Sequence, residues 1–284
     1  MGARDLAVPA LQAEARLLRG RASDELRGRR EVTVHPQAAR GFDRSAAAYE
    51  RGRPSYPAEA VAWLTKRLGL RPGQTVVDLA AGTGKLTRLL APTGARVIAV
   101  EPVDGMRAQL REAVPEAEAL AGVAERMPLD DGAADAVTVA QAFHWFATHE
   151  ALAEIARVLR PAGRLGLIWN VRDTEDPLQR AISAILAPYR GDVPSVQDSD
   201  WRSVLEGHPR FKPIDEHHFP SEQELDADSL ADRFGSVSFI AALPDEQRAE
   251  VLAQVRVLAG AGTVRLPYRT SVYVSATAAA RARA

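Results

Sequence analysis

The 284-residue sequence contains no cysteine, which excludes disulfide staples, thiolate nucleophiles and zinc–thiolate centres together. Long apolar runs are missing too. The longest are strand-sized, far short of the ~20 residues that span a bilayer, so no membrane insertion is expected. Charge of one sign is equally scarce: 36 Lys and Arg against 37 Asp and Glu leave a formal net charge of -1, with no global pull toward nucleic acid or anionic lipid. The opening Met1-Gly2-Ala3-Arg4-Asp5 lacks the basic start, apolar middle and small-residue cleavage site of a secretory signal, and cytoplasmic residence is the expectation. No internal repeat or low-complexity block stands out. What is present is 46% hydrophobic content, enough for one large domain with an ample core.

Residues 1–38 mix Ala, Leu and Arg with charges of both signs, and Arg19 to Glu31 is too polar to bury a face. A mobile tail is expected there. The rival reading, an Arg-led contact with nucleic acid, is weakened by Asp24, Glu25 and Glu31. Residues 39–70 read as an N-terminal cap, in which Val61, Trp63, Leu64 and Leu68 recur with helical spacing between Ala58 and Leu68. In the core, residues 75–173, strands are predicted near 75–79, 96–101, 117–121, 134–140 and 163–169, with helices near 85–93, 103–114 and 149–159. Such alternation predicts a parallel sheet covered on both faces. Within 174–274 the pattern predicts helices at Pro177–Tyr189, Glu222–Phe234 and Pro244–Leu258. It also predicts a strand at Asp215–Phe219 and a last strand or strand pair from Val264 to Val274, with Pro267 at its edge. Residues 275–284 read as a fraying tail.

The most informative segment is Asp78-Leu79-Ala80-Ala81-Gly82-Thr83-Gly84, placed after the apolar Thr75-Val76-Val77 and before Lys85-Leu86-Thr87-Arg88-Leu89-Leu90. Strand, glycine turn and helix follow in order, so backbone can approach a ligand closely and a helix N-terminus near Gly84 favours a polar or anionic group. About 20 residues on, Val97-Ile98-Ala99-Val100-Glu101 ends a second strand in a carboxylate, where a ribose diol would be gripped. A phosphate-binding P-loop would need glycine and Ser or Thr where Leu79 and Leu86 stand, and a dinucleotide fingerprint would need a small residue in place of Thr87. Nucleotide hydrolysis is therefore disfavoured, and an NAD-binding oxidoreductase stays as an alternative.

The span Asp78 to Gly84 resembles motif I of the class I S-adenosylmethionine-dependent methyltransferases, an acidic residue followed by three alternate glycines, with Ala80 in the first glycine place. Ala124-Glu125-Arg126-Met127-Pro128-Leu129 resembles the loop around the adenine in that family, and Gln141-Ala142 ends the fourth strand. Asp135 to Val139 with Arg157-Val158-Leu159-Arg160-Pro161-Ala162-Gly163 resembles its later strand and turn, Ala162 again replacing a glycine. The segment Phe42 to Pro57 is similar to the cap of trans-aconitate and ubiquinone-type relatives of the methyltransferase type 11 group. In all, the likeness covers roughly Phe42 to Asp173. It implies an α/β, Rossmann-like, doubly wound seven-stranded sheet, mostly parallel, with an antiparallel C-terminal strand beside the fifth and a helical cap.

The same resemblance implies S-adenosyl-L-methionine as cofactor. Backbone at Ala80, Gly82, Thr83 and Gly84 would meet its methionine part, Asp78 would orient its amino group, and Glu101 would hold both ribose hydroxyls. Pro102 and Met106 would flank the adenine, Glu125 or the backbone beside it at Ala124 would bind the adenine amino group, Gln141 and Ala142 would also border the cofactor, and Tyr49 and Arg53 would reach the methionine carboxylate. Simpler readings stay open: Asp78 as a helix-dipole partner, Glu101 as a solvated strand-end charge, Arg53 as a surface ion pair.

For the methyl acceptor, a small molecule methylated at oxygen, Gln141 to Phe146 and Trp169 to Asp173 occupy strand ends where ligands settle. Phe143, Trp145 and Tyr49 are candidate walls around the methyl by cation–π attraction, or else core packing. Trp169 is a further candidate at the acceptor entry. His144 is the candidate base, or else a histidine bonded to backbone, and a carboxylate acceptor would need no base. His217-His218 point to opposite faces of a strand, and with no third ligand nearby no metal is expected. A silent cofactor-binding regulatory module is the second class of function, and neither composition nor motif decides between monomer and homodimer.

Overall fold

The computed structural model describes residues 50 and 52–278. The predicted tail 1–38, Tyr49 and most of the segment from Phe42 to Arg51 lie outside the described residues, as do residues 279–284.

Five short apolar runs make strands β1 (Thr75–Leu79), β2 (Arg96–Val100), β3 (Glu118–Leu120), β4 (Ala134–Ala140) and β5 (Leu159–Arg172). All five positions of β1 are buried, the signature of a strand with both faces covered. These strands pair in parallel, and β6 (Asp215–Leu225) and β7 (Val264–Ala276) complete a seven-stranded sheet of order β3-β2-β1-β4-β5-β7-β6 with both new pairings antiparallel. Strand order reverses between β1 and β4. The crevice at the carboxyl ends of those two strands is where open α/β sheets take ligands.

Helix α1 (Ala58–Leu68) follows Pro57 and stops at Gly69, whose left-handed φ of 73° closes it. Its Ala60, Val61, Leu64 and Leu68 pack on one sheet face with Val76, Val97 and Ile168, joined by Leu90 of the one-turn α2 (Thr87–Leu90). α3 (Asp104–Ala113) joins β2 to β3. The opposite face is covered by Leu152 and Ile155 of α4 (His149–Val158), whose N-terminus is capped by the Thr148 hydroxyl, and by Trp201 and Leu205 of α6 (Trp201–Glu206). A third cluster joins α5 (Pro177–Leu186), α7 (Ala227–Gly235), α8 (Ser238–Ala241) and α9 (Asp245–Val257) around Ile182, Leu230, Phe234, Ile240 and Val251.

Several elements differ from expectation. The predicted helix from Glu222 starts only at Ala227, where the Asp226 carboxylate accepts from Ser229 N–H. Glu222 to Leu225 instead extends β6, because Pro267 to Val264 of β7 presents them with a ladder of backbone partners. β7 is one strand, interior to the sheet, and runs to Ala276, past the expected start of the tail; Thr277 N–H then bonds to Gly163 C=O. Pro267 is nevertheless tolerated because β5 ends opposite Tyr268, so no ladder donor is needed there. α6 falls in a stretch read as loop. No helix among the described residues is long and apolar enough to cross a membrane.

Candidate active site

The turn after β1 is held from beneath and from the side. Asp78, 0% exposed, accepts hydrogen bonds from Thr87 Oγ1 at 2.6 Å and Thr138 Oγ1 at 2.9 Å, tying β1 to α2 and β4. Burial pushes its carboxyl up to about 6 against the opposing hydroxyl bonds. With no exposed surface in this structure, Asp78 braces the turn from beneath. Ala80 follows at φ 55°, a conformation that favours glycine, and the backbone then passes through Gly82 at φ 59°, where nothing stands within 4 Å of a Cβ position. The Gly84 N–H is bonded to Ala81 C=O, and the helix starts at Thr87. The open helix N-terminus expected near Gly84 is therefore displaced by one turn.

Glu101, at the end of β2, closes onto this turn. Its Oε2 accepts from Gly82 N–H at 2.8 Å and its Oε1 from Val103 N–H at 2.9 Å, with only 5% of the residue exposed. Burial raises its carboxyl, and the two backbone donors oppose that. It is not a solvated strand-end charge. Beside it Arg107 donates to Glu101 C=O at 2.7 Å and pairs with Asp104. Met106 and Ala124 are buried, and Pro102 is half-buried. Burial also raises the Glu125 carboxyl, with the Glu150 charge adding to it.

Glu50 was not singled out from sequence, yet it is the hub between cap and turn. It accepts from Thr83 Oγ1 at 2.7 Å and Arg88 Nη1 at 2.9 Å, and its carbonyl takes Lys85 Nζ at 2.7 Å. Burial would raise its carboxyl; the Thr83 bond and the Lys85 and Arg88 charges outweigh that and lower it. Next in the cap, Gly52 sits where a Cβ would lie 2.5 Å from the Arg233 backbone nitrogen of α7. Arg53 reaches α7's end, donating to Ser236 Oγ at 3.0 Å and Ser236 C=O at 3.2 Å. Cap, turn and α7 are thus one connected unit.

Across the crevice, Gln141 ends β4 at φ 60° and Asn170 in β5 holds the cap through Ser55 C=O at 3.1 Å. Gln141, Asn170, Arg53 and Arg233 border both the space beside the glycine turn and a cleft of about 590 Å³ beyond it. His144 and Trp145 line that cleft. Phe143 and Trp169, 0% and 1% exposed, do not. Phe143 meets Phe146 and Trp201 edge to face, and Trp169 packs on Trp201 and Tyr273, so both expected acceptor contacts are core residues. Burial, reinforced by the Arg53 charge, pushes the His144 imidazole down to about 4, which keeps it neutral at physiological pH. Its Nδ1 has no hydrogen-bond partner among the described residues. His217 stacks on Trp63 while His218 bonds Ser271 Oγ, on opposite sides of β6.

A family model described as a methyltransferase domain matches residues 77–167, a span from β1 to β5. An uncharacterized methyltransferase of Mycobacterium tuberculosis is 42% identical over 245 residues, covering 84% of this chain and 96% of that one. An uncharacterized methyltransferase-like protein of Schizosaccharomyces pombe is 36% identical over 242 residues, covering 82% and 94%. Among solved structures, one from Anabaena variabilis assigned as a methyltransferase of an antibiotic biosynthesis pathway superposes with a TM-score of 0.58. It covers 78% of this chain and 98% of its own at 20% identity, a likeness of fold.

Proposed function

The chain belongs to the class I S-adenosylmethionine-dependent methyltransferases, and on that premise we propose that it moves the cofactor's methyl group to an oxygen, foremost a carboxylate oxygen, of a small-molecule acceptor. One juxtaposition carries the reading: a glycine turn gripped by Glu101 opens, past Gln141 and Asn170, into a cleft bordered by four arginines, Arg53, Arg172, Arg190 and Arg233. Among the described residues, its only acidic lining residue, Asp198, is paired with Arg190. The cleft therefore favours an anion.

The residues suit the cofactor. Glu101 gives two of its roughly four acceptor positions to backbone donors, which leaves others for a ribose diol. The open space over Gly82 admits the methionine part against bare backbone. When bound, S-adenosylmethionine supplies a methyl already activated on a sulfonium. The chain's own task is to position an oxygen in line with it and keep water out, for which the docked cap serves. A neutral imidazole at His144 places no competing cation beside the sulfonium. It is also a weak base, which suits an acceptor that has no proton to give up.

Calorimetry with S-adenosylmethionine and S-adenosylhomocysteine tests the cofactor half. Glu101→Ala should weaken both by roughly ten- to a hundredfold, the loss expected for hydrogen bonds to a charged group. Absence of binding to the unmodified protein would refute the proposal. Transfer of labelled methyl to a pool of small carboxylic acids tests the acceptor half. Binding with no transfer to any small molecule would favour the silent regulatory module.

A further inference from the structure

Two of the four cleft arginines are unlike the others. Arg53 is engaged with Ser236 and Arg190 with Asp198. Arg172, at the carboxyl end of β5, and Arg233, in the last turn of α7, have no ion pair with an acidic side chain among the described residues. Both guanidinium groups rest against the Phe234 ring, with Cζ 5.5 Å and 5.1 Å from its centroid. Arg233 also donates from Nε to Tyr268 Oη at 3.0 Å. Arg233 is only 5% exposed, and the Nη1 atoms of both residues are buried without a hydrogen-bond partner among the described residues. Two like charges held over one ring, one buried and the other half-buried, each with an unmet donor, are unfavourable until an anion joins them. The Arg172 guanidinium shows the strain: burial first, and then the Arg233 charge, bring it down to about 10.

We propose that Arg172 and Arg233 form an oxyanion subsite in the wall of the cleft, which anchors the acceptor by a carboxylate or phosphate group other than the atom that is methylated. The proposal rests on the methyltransferase reading above. Planar guanidinium forks match the paired oxygens of either group, and the aromatic floor fixes their orientation. An oxyanion clamped by two cations is a poor nucleophile. The clamped group is therefore a handle, and the oxygen that reacts lies elsewhere on the same molecule, toward His144 and Gln141.

The test is calorimetry at low ionic strength on the protein saturated with S-adenosylhomocysteine, titrated with citrate in one arm and inorganic phosphate in the other. Wild type is expected to bind one of them, which names the group. Arg172→Gln should weaken that binding at least ~10-fold, Arg172→Lys should restore part of it, and neither should change affinity for S-adenosylhomocysteine. An unchanged melting temperature in the Lys variant keeps the comparison free of misfolding. Binding of neither probe, or equal binding by wild type and Arg172→Gln, overturns the subsite. A matching loss of S-adenosylhomocysteine affinity in Arg172→Gln also overturns it, because the pair would then serve the cofactor. Failure of wild type to bind S-adenosylhomocysteine refutes the methyltransferase reading instead, and the citrate and phosphate arms, run on the unloaded protein, still decide the arginine pair.

Discussion

Replacing Asp78 by Asn should make the protein more stable and a worse binder of its cofactor. The carboxyl is fully buried among neutral partners and has risen from its ordinary 3.8 to about 6. At about 1.4 kcal/mol per factor of ten in proton affinity, ionised Asp78 carries a penalty of roughly 3 kcal/mol. The sign follows from the folded value lying above the unfolded one. The protonated form's advantage is complete below 3.8 and is lost as pH rises through about 6. An amide of the same shape escapes the penalty, provided its NH₂ finds an acceptor. Thr138 Oγ1 lies 2.9 Å from Asp78 Oδ1 and 3.4 Å from Val77 C=O, so it can turn its proton to Val77 and accept from the amide. Allowing ~1–2 kcal/mol for a less ideal network leaves Asp78→Asn about 1–2 kcal/mol more stable at pH 8. For a chain of this size that is roughly 2–8 °C in melting temperature. Melting curves from pH 4 to pH 8.5 should show the gap shrinking as pH falls and reversing sign at about pH 5, where the ionisation penalty drops below the ~1–2 kcal/mol network cost, while calorimetry shows S-adenosylhomocysteine binding weakened. An Asn variant less stable at pH 8, or a gap indifferent to pH, would refute the reasoning.

Two further outcomes can be measured directly. Ala162, exposed at φ 63° in the turn before the main run of β5, pays ~1–2 kcal/mol for that conformation, whereas glycine loses only ~0.5–1 kcal/mol in chain entropy. Ala162→Gly should thus raise the melting temperature by ~1–3 °C, and a decrease would show that the turn is unstrained. In a pH–rate profile, His144 at about 4 should contribute no limb between pH 5 and pH 8. Any limb near 6 should disappear in Asp78→Asn and survive in His144→Ala, and the reverse pattern would make the histidine a working base.

The parallel core was legible because each of its strands is a local apolar run and each crossover a local helical pattern. Glu101 was legible for the same reason: it ends a strand at a fixed interval from a glycine turn. What escaped is decided by partners distant in sequence. Glu222 to Leu225 has helix-compatible residues and becomes strand only because β7 is there to pair with it. Glu50 acquires meaning from Thr83, 33 residues away, and Arg172 and Arg233 from a shared aromatic floor. Whether Phe143 and Trp169 face the acceptor or the core is not legible, because a strand-end aromatic looks the same from sequence whichever way it points. In β5 the alternation sends Trp169 into the core and the neighbouring Asn170 to the cleft.

The placing of β7 between β5 and β6 has a consequence for how the molecule is made. β6 leaves the ribosome before the strand that attaches it to the sheet, and α7, α8 and α9 are all synthesised in the interval. Until Val264 to Ala276 emerges, β5 and β6 both present unpaired backbone, and the roof of the cleft hangs from a strand that is not yet anchored. A chain halted before Val264 would contain every residue of the glycine turn and all four cleft arginines. It would still be unable to assemble them, because the sheet closes from its middle and does so last.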